Sequence, residues 1–295
     1  MAFDHRRHNM IQKNVPLKDY TYTKIGGNAD YLAIPKSVEE LAKAVEFAQK
    51  NNLPWMVLGN GSNVLIQDGG IEGLVILTTS LTNMTIENYT ITVQAGAPII
   101  EVSQAARDFS LSGLEFACGI PGSVGGAIYM NAGAYGGEIK DVCTYVTVLT
   151  PEGRIERLSA DQLGFDYRTS LVPDKNWIVL EVEFELEPGD QTVIQAKMDE
   201  LTYLRESKQP LEYPSCGSVF KRPPGHFAGK LIQDSDLQGV QIGGAQVSLK
   251  HAGFIINKGD ATAKDYLDLV HHVQKTVKDK FGVELEKEVR VIGRA

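Results

Sequence analysis

Apolar positions along the chain switch between helical and strand spacing. Val38, Leu41, Ala42, Val45 and Ala48 recur every three or four residues behind Ser37-Val38-Glu39-Glu40. That opening has the form of a capping box, in which a serine hydroxyl accepts from an amide of the first turn and a glutamate carboxylate reaches back. A helix is predicted there, ended by Asn51-Asn52. Residues 99–108 and 192–206 read as further helices, the second with Ile194, Met198, Leu201 and Leu204 on one face. Another follows Thr262-Ala263-Lys264-Asp265, with Tyr266, Leu269, Val270, Val273, Val277 and Phe281 in phase, and a short one is predicted at 230–235. Strands are predicted at 54–58, 64–66, 74–78, 177–186, 239–247 and 253–256, with hairpins at 84–94 and 145–158. Val283, Leu285, Val289 and Val291 share a parity, as a closing strand would. Pro210 to Pro214 marks a domain boundary, and the mixture of elements gives an α+β or α/β class.

Composition sharpens this picture at glycine. The chain has 29 glycines in 295 residues, against roughly 21 at average usage of ~7%. The surplus is clustered at Gly26-Gly27, at Gly59 and Gly61, and between Gly119 and Gly137. Clustered glycine marks backbone that takes positive φ or approaches something closely. The net charge of −8 argues against broad nucleic-acid binding while leaving room for a local basic pocket. No apolar run reaches the ~18–20 residues of a membrane span. Residues 1–8 have no apolar segment behind their basic residues, so no secretory signal is expected. Cys118, Cys143 and Cys216 are odd in number and far apart, which fits a reducing, cytoplasmic setting.

Several familiar sites are excluded. No G-x-G-x-x-G, no G-x-x-x-x-G-K-[ST] and no G-x-S-x-G occurs. The six histidines show no metal-ligand spacing; His271 and His272 are adjacent on a helix and point about 100° apart. What the glycine loops can do is bind phosphates. Leu58 to Asn63 follows a strand, and its consecutive amides can form an anion-binding concavity, with Ser62 and Asn63 adding donors. Gly119 to Ala127 is a second glycine loop that can precede a helix and aim amides at an anion. Together the loops point to a dinucleotide held without the usual fingerprint.

At this point a family resemblance becomes specific. Thr23-Lys24-Ile25-Gly26-Gly27-Asn28-Ala29, Leu58 to Asn63, Gly119-Ile120-Pro121-Gly122-Ser123-Val124-Gly125-Gly126-Ala127 and Asn131 to Gly136 resemble the flavin-binding signature of the UDP-N-acetylenolpyruvoylglucosamine reductases. Tyr167-Arg168-Thr169-Ser170 resembles that family's catalytic-arginine segment. Gly217-Ser218-Val219-Phe220-Lys221 resembles its proton-donor loop, and Leu285-Glu286-Lys287-Glu288-Val289-Arg290 its C-terminal acidic motif. The matches run in the family's order from about residue 20 to residue 293.

The resemblance implies an α+β fold: an FAD-binding module of the vanillyl-alcohol oxidase type in two subdomains, 1–80 and 81–208, then a smaller substrate-binding domain, 209–295. It implies FAD on Gly26, Gly27, Gly59, Asn60, Gly61, Ser62, Asn63, Ile120, Pro121, Gly122, Ser123, Gly125, Gly126 and Ala127. The absence of histidine between His8 and His226 makes the flavin non-covalent on this reading. NADPH reduces the flavin, which then reduces the enolpyruvyl ether of UDP-N-acetylglucosamine, a step of peptidoglycan precursor synthesis. Arg168 is implied to stabilise the enolate, Ser218 to protonate carbon, and Glu288 to orient or polarise. Such residues are ordinarily a surface ion-pair arginine, a turn serine and a solvated glutamate. Lys208, Lys221, Arg222, His251 and Asn257 are expected at the UDP-sugar, with NADPH and substrate using one pocket in turn. Arg222, where one branch has asparagine, and the short chain between Arg168 and Ser218 place the sequence in the shorter type without a tyrosine-bearing loop. Two other readings stay open here: another FAD-linked oxidoreductase of the same superfamily, and a non-catalytic UDP-sugar-binding protein.

Overall fold

Strand pairing divides the polypeptide into three larger sheets, seen in a computed structural model that describes residues 10–295. The expectation for residues 1–8, and His8 itself, lie outside the described residues. The first sheet runs Ile11–Pro16, Asn28–Ala33, Ile71–Leu77, Trp55–Leu58 in spatial order. Its outer pair is antiparallel and its other two contacts are parallel. Helix α1 (Val38–Lys50) covers one face, with Leu41, Ala44, Val45 and Ala48 against Ala33, Leu74 and Ile76. The Ser37 hydroxyl accepts from Glu40 N at 3.2 Å, as the sequence indicates. The Glu40 carboxylate closes the other half on Lys36 N, at 2.8 Å, one residue earlier than a strict capping box.

A five-stranded antiparallel sheet forms the middle of the molecule, in the order Ile155–Ser159, Cys143–Leu149, Ile178–Glu185, Thr90–Gln94, Met84–Glu87. Its core takes in α2 (Ile99–Asp108) and the short α3 (Val124–Tyr129), through Ile99, Val102, Ala106, Val124, Ala127 and Ile128. Helix α4 (Gln191–Lys208) leads out of this unit. The third sheet, Ser215–Ser218, Phe254–Asn257, Ala245–Val247, Gln241–Ile242, packs with α5 (Ala228–Asp234) and α6 (Ala263–Phe281). The single strand expected at 239–247 is broken by a turn at Gly243-Gly244, where Gly243 has φ +52°. A Cβ on Gly244 would lie 2.4 Å from Gly259 O and from Ala261 N, so that turn depends on glycine.

The closing strand also differs from its expectation. Residues 283–289 are irregular, with Leu285 and Val289 buried in the third core. Only Arg290–Ile292 forms a strand, and it pairs in parallel with Val64–Ile66 of the first unit. Three further contacts fasten the third unit to the first. Ile25 and Leu65 enter its core. Asn257 Nδ2 donates to Thr23 O at 3.0 Å. The Asp68 carboxylate accepts from Ala263 N at 2.8 Å and Lys264 N at 3.0 Å, taking up the first two free amides of α6. The Asp68→Ala variant should therefore lose about 1 kcal/mol, the usual size of a lost cap. Urea unfolding followed by circular dichroism checks this; an unchanged midpoint would mean that water replaces the carboxylate without loss.

Candidate active site

Two glycine loops are held face to face by one side chain: Asn60 Nδ2 donates to Pro121 O at 3.3 Å. In the first loop the backbone N–H groups of Asn60, Gly61, Ser62 and Asn63 donate to no acceptor among the described residues. Four consecutive free amides form the concavity that phosphate oxygens fill. Gly61 has φ +61°, and a Cβ there would meet Tyr20 O at 2.2 Å, so the turn requires glycine. In the second loop the Gly122 and Ser123 amides are likewise free. A Cβ on Gly122 would meet nothing closer than Ser62 Oγ, at 3.6 Å. That is ordinary contact distance, so Gly122 faces Ser62 of the first loop, and the free amides of both loops suit phosphate oxygens. A cleft of about 200 Å³ adjoins the first loop, lined by Tyr20, Thr21, Tyr22, Gly59, Asn60, Leu77 and Thr79.

Other glycines of the signature do different work. A Cβ on Gly59 would strike Ser123 Oγ at 2.0 Å, so this glycine sets how closely the two loops approach. Gly26 lies against Ile66, and a Cβ on Gly27 would fall 2.2 Å from Asp68 O; both seat their loop on residues 66–70. Gly125 N donates to Ala95 O at 2.7 Å, and a Cβ there would lie 3.0 Å from Ala95 Cβ. Ser123 caps α3 by accepting from Gly126 N at 3.3 Å. Ala127 is in the core, with Ile120 packed against it. Gly26, Gly27, Gly125 and Ala127 thus support the packing of these loops. Asn63 turns the other way: its Nδ2 donates to Glu288 O at 3.2 Å and lies 3.5 Å from Met130 Sδ.

That contact leads to the candidate chemistry. Arg168, Ser218 and Glu288, 120 residues apart at the extremes of the sequence, converge. Arg168 Nε donates to Glu288 Oε1 at 3.1 Å and Nη2 to Gly133 O at 2.8 Å, which leaves Nη1 for a ligand. Both side chains are sheltered, 18% and 15% exposed. Burial pushes the Glu288 carboxyl up from its ordinary range, and the nearby Arg168 and Lys221 charges oppose that shift. Arg168 has φ +55°, a conformation that costs an arginine energy and is held by its two side-chain anchors. Ser218 ends its strand, exposed, one residue after Gly217 with φ +79°. Glu288 N donates to Val219 O at 2.8 Å, so the backbones of the serine and the glutamate run side by side.

The remaining expected residues separate into two groups. Arg222 and the end of α4 at Lys208 are exposed, and Lys221 is half-buried. Lys221 Nζ pairs with the exposed Glu286 at 2.6 Å. Arg222 N donates to Tyr167 Oη at 3.4 Å, which places it next to Arg168, and its guanidinium lies 4.0 Å over the Phe227 ring. Asn257 ties the frame together: it is buried, donates to Thr23 O, and accepts from Gly259 N and Ala261 N. His251 shapes the turn before Phe254. Its Nδ1 accepts from Gly253 N at 3.1 Å, its ring packs edge-on to Phe254, and burial lowers its pKa, so it is a neutral turn residue. Sequence reasoning missed the Gly133 carbonyl and Tyr167, although both sit inside quoted motifs; only the fold shows that they hold Arg168. A second cleft, about 400 Å³, is lined by Gly133 to Glu138, Lys140, Asp141, Tyr167 and Arg168.

Residues 209–292 match the family model "UDP-N-acetylenolpyruvoylglucosamine reductase, C-terminal domain", and residues 29–159 match "FAD binding domain". The chain is similar to the UDP-N-acetylenolpyruvoylglucosamine reductase of Listeria welshimeri, 60% identical over 97% of this chain and 96% of that one. The Staphylococcus aureus protein of the same name is 58% identical over 96% and 92%. Among solved structures, the Thermus caldophilus reductase superposes with a TM-score of 0.84 at 37% identity, covering 96% of this chain and 99% of that one.

The two kinds of glycine give a direct test. Gly122→Val should fold close to the parent, since its Cβ meets Ser62 and Ile120 at ordinary contact distance, yet be purified largely without FAD. Gly125→Val should instead unfold earlier, because Ala95 leaves no room. Absorbance at 450 nm per chain and thermal melts separate the two; full FAD occupancy in Gly122→Val would move the pyrophosphate elsewhere.

Proposed function

The chain belongs to the UDP-N-acetylenolpyruvoylglucosamine reductase family, and we propose that Arg168, Ser218 and Glu288 carry out its reaction. It is an FAD-dependent oxidoreductase that uses NADPH to reduce UDP-N-acetylglucosamine enolpyruvate to UDP-N-acetylmuramate in peptidoglycan synthesis. When bound, FAD supplies hydride transfer between NADPH and the methylene carbon of the enolpyruvyl group. The observation that carries the residue assignment is the sheltered Arg168–Glu288 pair with one guanidinium nitrogen unused, beside the serine strand.

Hydride addition to the methylene carbon leaves negative charge on the neighbouring carbon and its carboxylate. Arg168 meets that charge through Nη1, already oriented by Glu288 and the Gly133 carbonyl, so no reorganisation is needed as the charge develops. Burial strengthens this interaction relative to water. Ser218 delivers the proton to carbon. Its hydroxyl is a weak acid, but the acceptor is a strongly basic carbanion at short range. Glu288 keeps the guanidinium in place, and its raised affinity for a proton suits it to sharing one with the enolate side of the substrate.

Lys208, Lys221 and Arg222 supply positive charge for the UDP diphosphate. NADPH and the UDP-sugar use the same pocket in turn, because each presents a carbon to the same ring position. The FAD is held without a covalent bond: among the described residues no histidine precedes His226. The boundary at 80/81 divides the two FAD-binding subdomains and that at 208/209 divides cofactor binding from substrate binding, and the short segment between Arg168 and Ser218 puts the chain in the type without a tyrosine loop. No described helix is long and apolar enough to cross a membrane. A nucleotide-sugar substrate, NADPH and three free cysteines fit the cytoplasm.

Ser218→Ala distinguishes the two halves of the cycle. Flavin reduction by NADPH should stay near the parent rate, while reoxidation by the enolpyruvyl substrate slows by ~10²–10⁴-fold or more. Ser218→Cys should retain more of the second step. Stopped-flow flavin absorbance reads both; equal loss in the two halves would make Ser218 a structural turn residue.

A further inference from the structure

Arg205 is the guanidinium that the mechanism above does not use. It lies three residues before the end of α4, on the side facing the second glycine loop. Its side chain rests directly on Gly119: a Cβ there would fall 2.7 Å from Arg205 Cδ, 3.4 Å from Nε and 3.6 Å from Nη1. The first glycine of the loop is therefore the seat of an arginine, a role different from that of Gly122. The residue is only partly exposed, and it has no hydrogen-bond acceptor or ion-pair partner among the described residues. The titratable side chains near enough to influence it are Tyr135, Cys118 and Tyr22; none is a carboxylate.

A guanidinium withdrawn from water without an anion is costly, and in native proteins such a group is paired. The surroundings say where the anion belongs. Tyr22 lines the cleft beside Gly59 and Asn60. Tyr135 lines the cleft of Arg168. Arg205 thus sits on Gly119 at the near end of the second glycine loop, within electrostatic reach of one tyrosine from each cleft, and its planar fork suits phosphate oxygens.

We propose that Arg205, seated on Gly119, binds a phosphoryl oxygen of a nucleotide ligand of this site. The inference rests on the family reading for the identity of those ligands: FAD, the UDP-sugar and NADPH all carry diphosphates, and NADPH carries a further phosphate. The shared chemistry is a phosphate oxygen accepting from a pre-positioned guanidinium. Arg205 is a binding residue on this reading, with no part in proton or hydride movement.

The test uses the full-length holoenzyme and three arms. FAD retention is read by absorbance and by fluorescence titration of the stripped protein. UDP affinity is read by calorimetry against the FAD-loaded protein. NADPH is read from the concentration dependence of flavin reduction. Arg205→Met should weaken one of these ligands by about 10- to 100-fold, the size expected for losing a hydrogen bond to a charged group. Arg205→Lys should recover part of the loss, and the arm that responds identifies the source of the phosphate. Gly119→Ala, which pushes the guanidinium aside with its charge intact, should weaken the same ligand; it also serves if the methionine variant folds poorly. Unchanged affinity for all three ligands in Arg205→Met and Gly119→Ala would overturn the proposal. Wild-type turnover of NADPH with the enolpyruvyl substrate would still stand, so failure of this assignment is separate from failure of the family reading.

Discussion

The return of the C-terminal segment to the first unit is the constraint on which the site depends. Arg290, Val291 and Ile292 pair with Val64, Leu65 and Ile66, and Leu65 is wholly buried in the core of the third unit. This short parallel pair fixes Glu288, two residues upstream, against Asn63 and Val219. Asn63 is itself the last residue of the loop with free amides. Cofactor loop, glutamate and serine strand are therefore positioned by one structural joint. Arg168 comes from the middle unit and reaches the joint through its pair with Glu288.

The electrostatic consequence is a sheltered ion pair assembled from distant parts of the chain. Bringing an arginine and a carboxylate out of water is expensive, and such pairs are poor sources of stability. What this pair supplies is orientation. With Nε on Glu288 and Nη2 on Gly133, the guanidinium presents its remaining face to the cleft. Burial of Glu288 and the opposing charges of Arg168 and Lys221 leave the carboxyl with a raised proton affinity, so the pair is poised and not saturated. Asp68 and Asn257 do the corresponding mechanical work, clamping the third unit to loops of the first.

Much of this was legible in the sequence, and what was missed has physical causes. The helices at 38–50, 99–108, 191–208 and 263–281 follow periodicity because each buries one face. Ile11–Pro16 escaped notice because four of its six side chains are exposed. Ser215–Ser218, with the sequence SCGS, has no apolar alternation to read. Residues 283–289 carry strand-like parity, yet their apolar side chains fill a helix-lined core without a ladder. Glycine was informative as a cluster but not residue by residue. Gly122 faces Ser62 at ordinary contact distance, Gly125 and Gly27 are pressed against backbone, and Gly119 seats an arginine 86 positions away. Asn257 and His251 have the chemistry of ligands, but their partners are Thr23 O and Gly253 N, which only the fold reveals.

The central claim is that Arg168 and Glu288 act as one unit on the enolpyruvyl substrate. A double-mutant cycle in single-turnover reoxidation of the reduced enzyme tests it most directly, with Arg168→Met, Glu288→Gln and the double variant. Residues that act together give strongly non-additive losses. The double variant should be about as slow as the slower single variant. Losses that multiply would mean that the two side chains work independently, and that their pairing at 3.1 Å has no bearing on the chemistry.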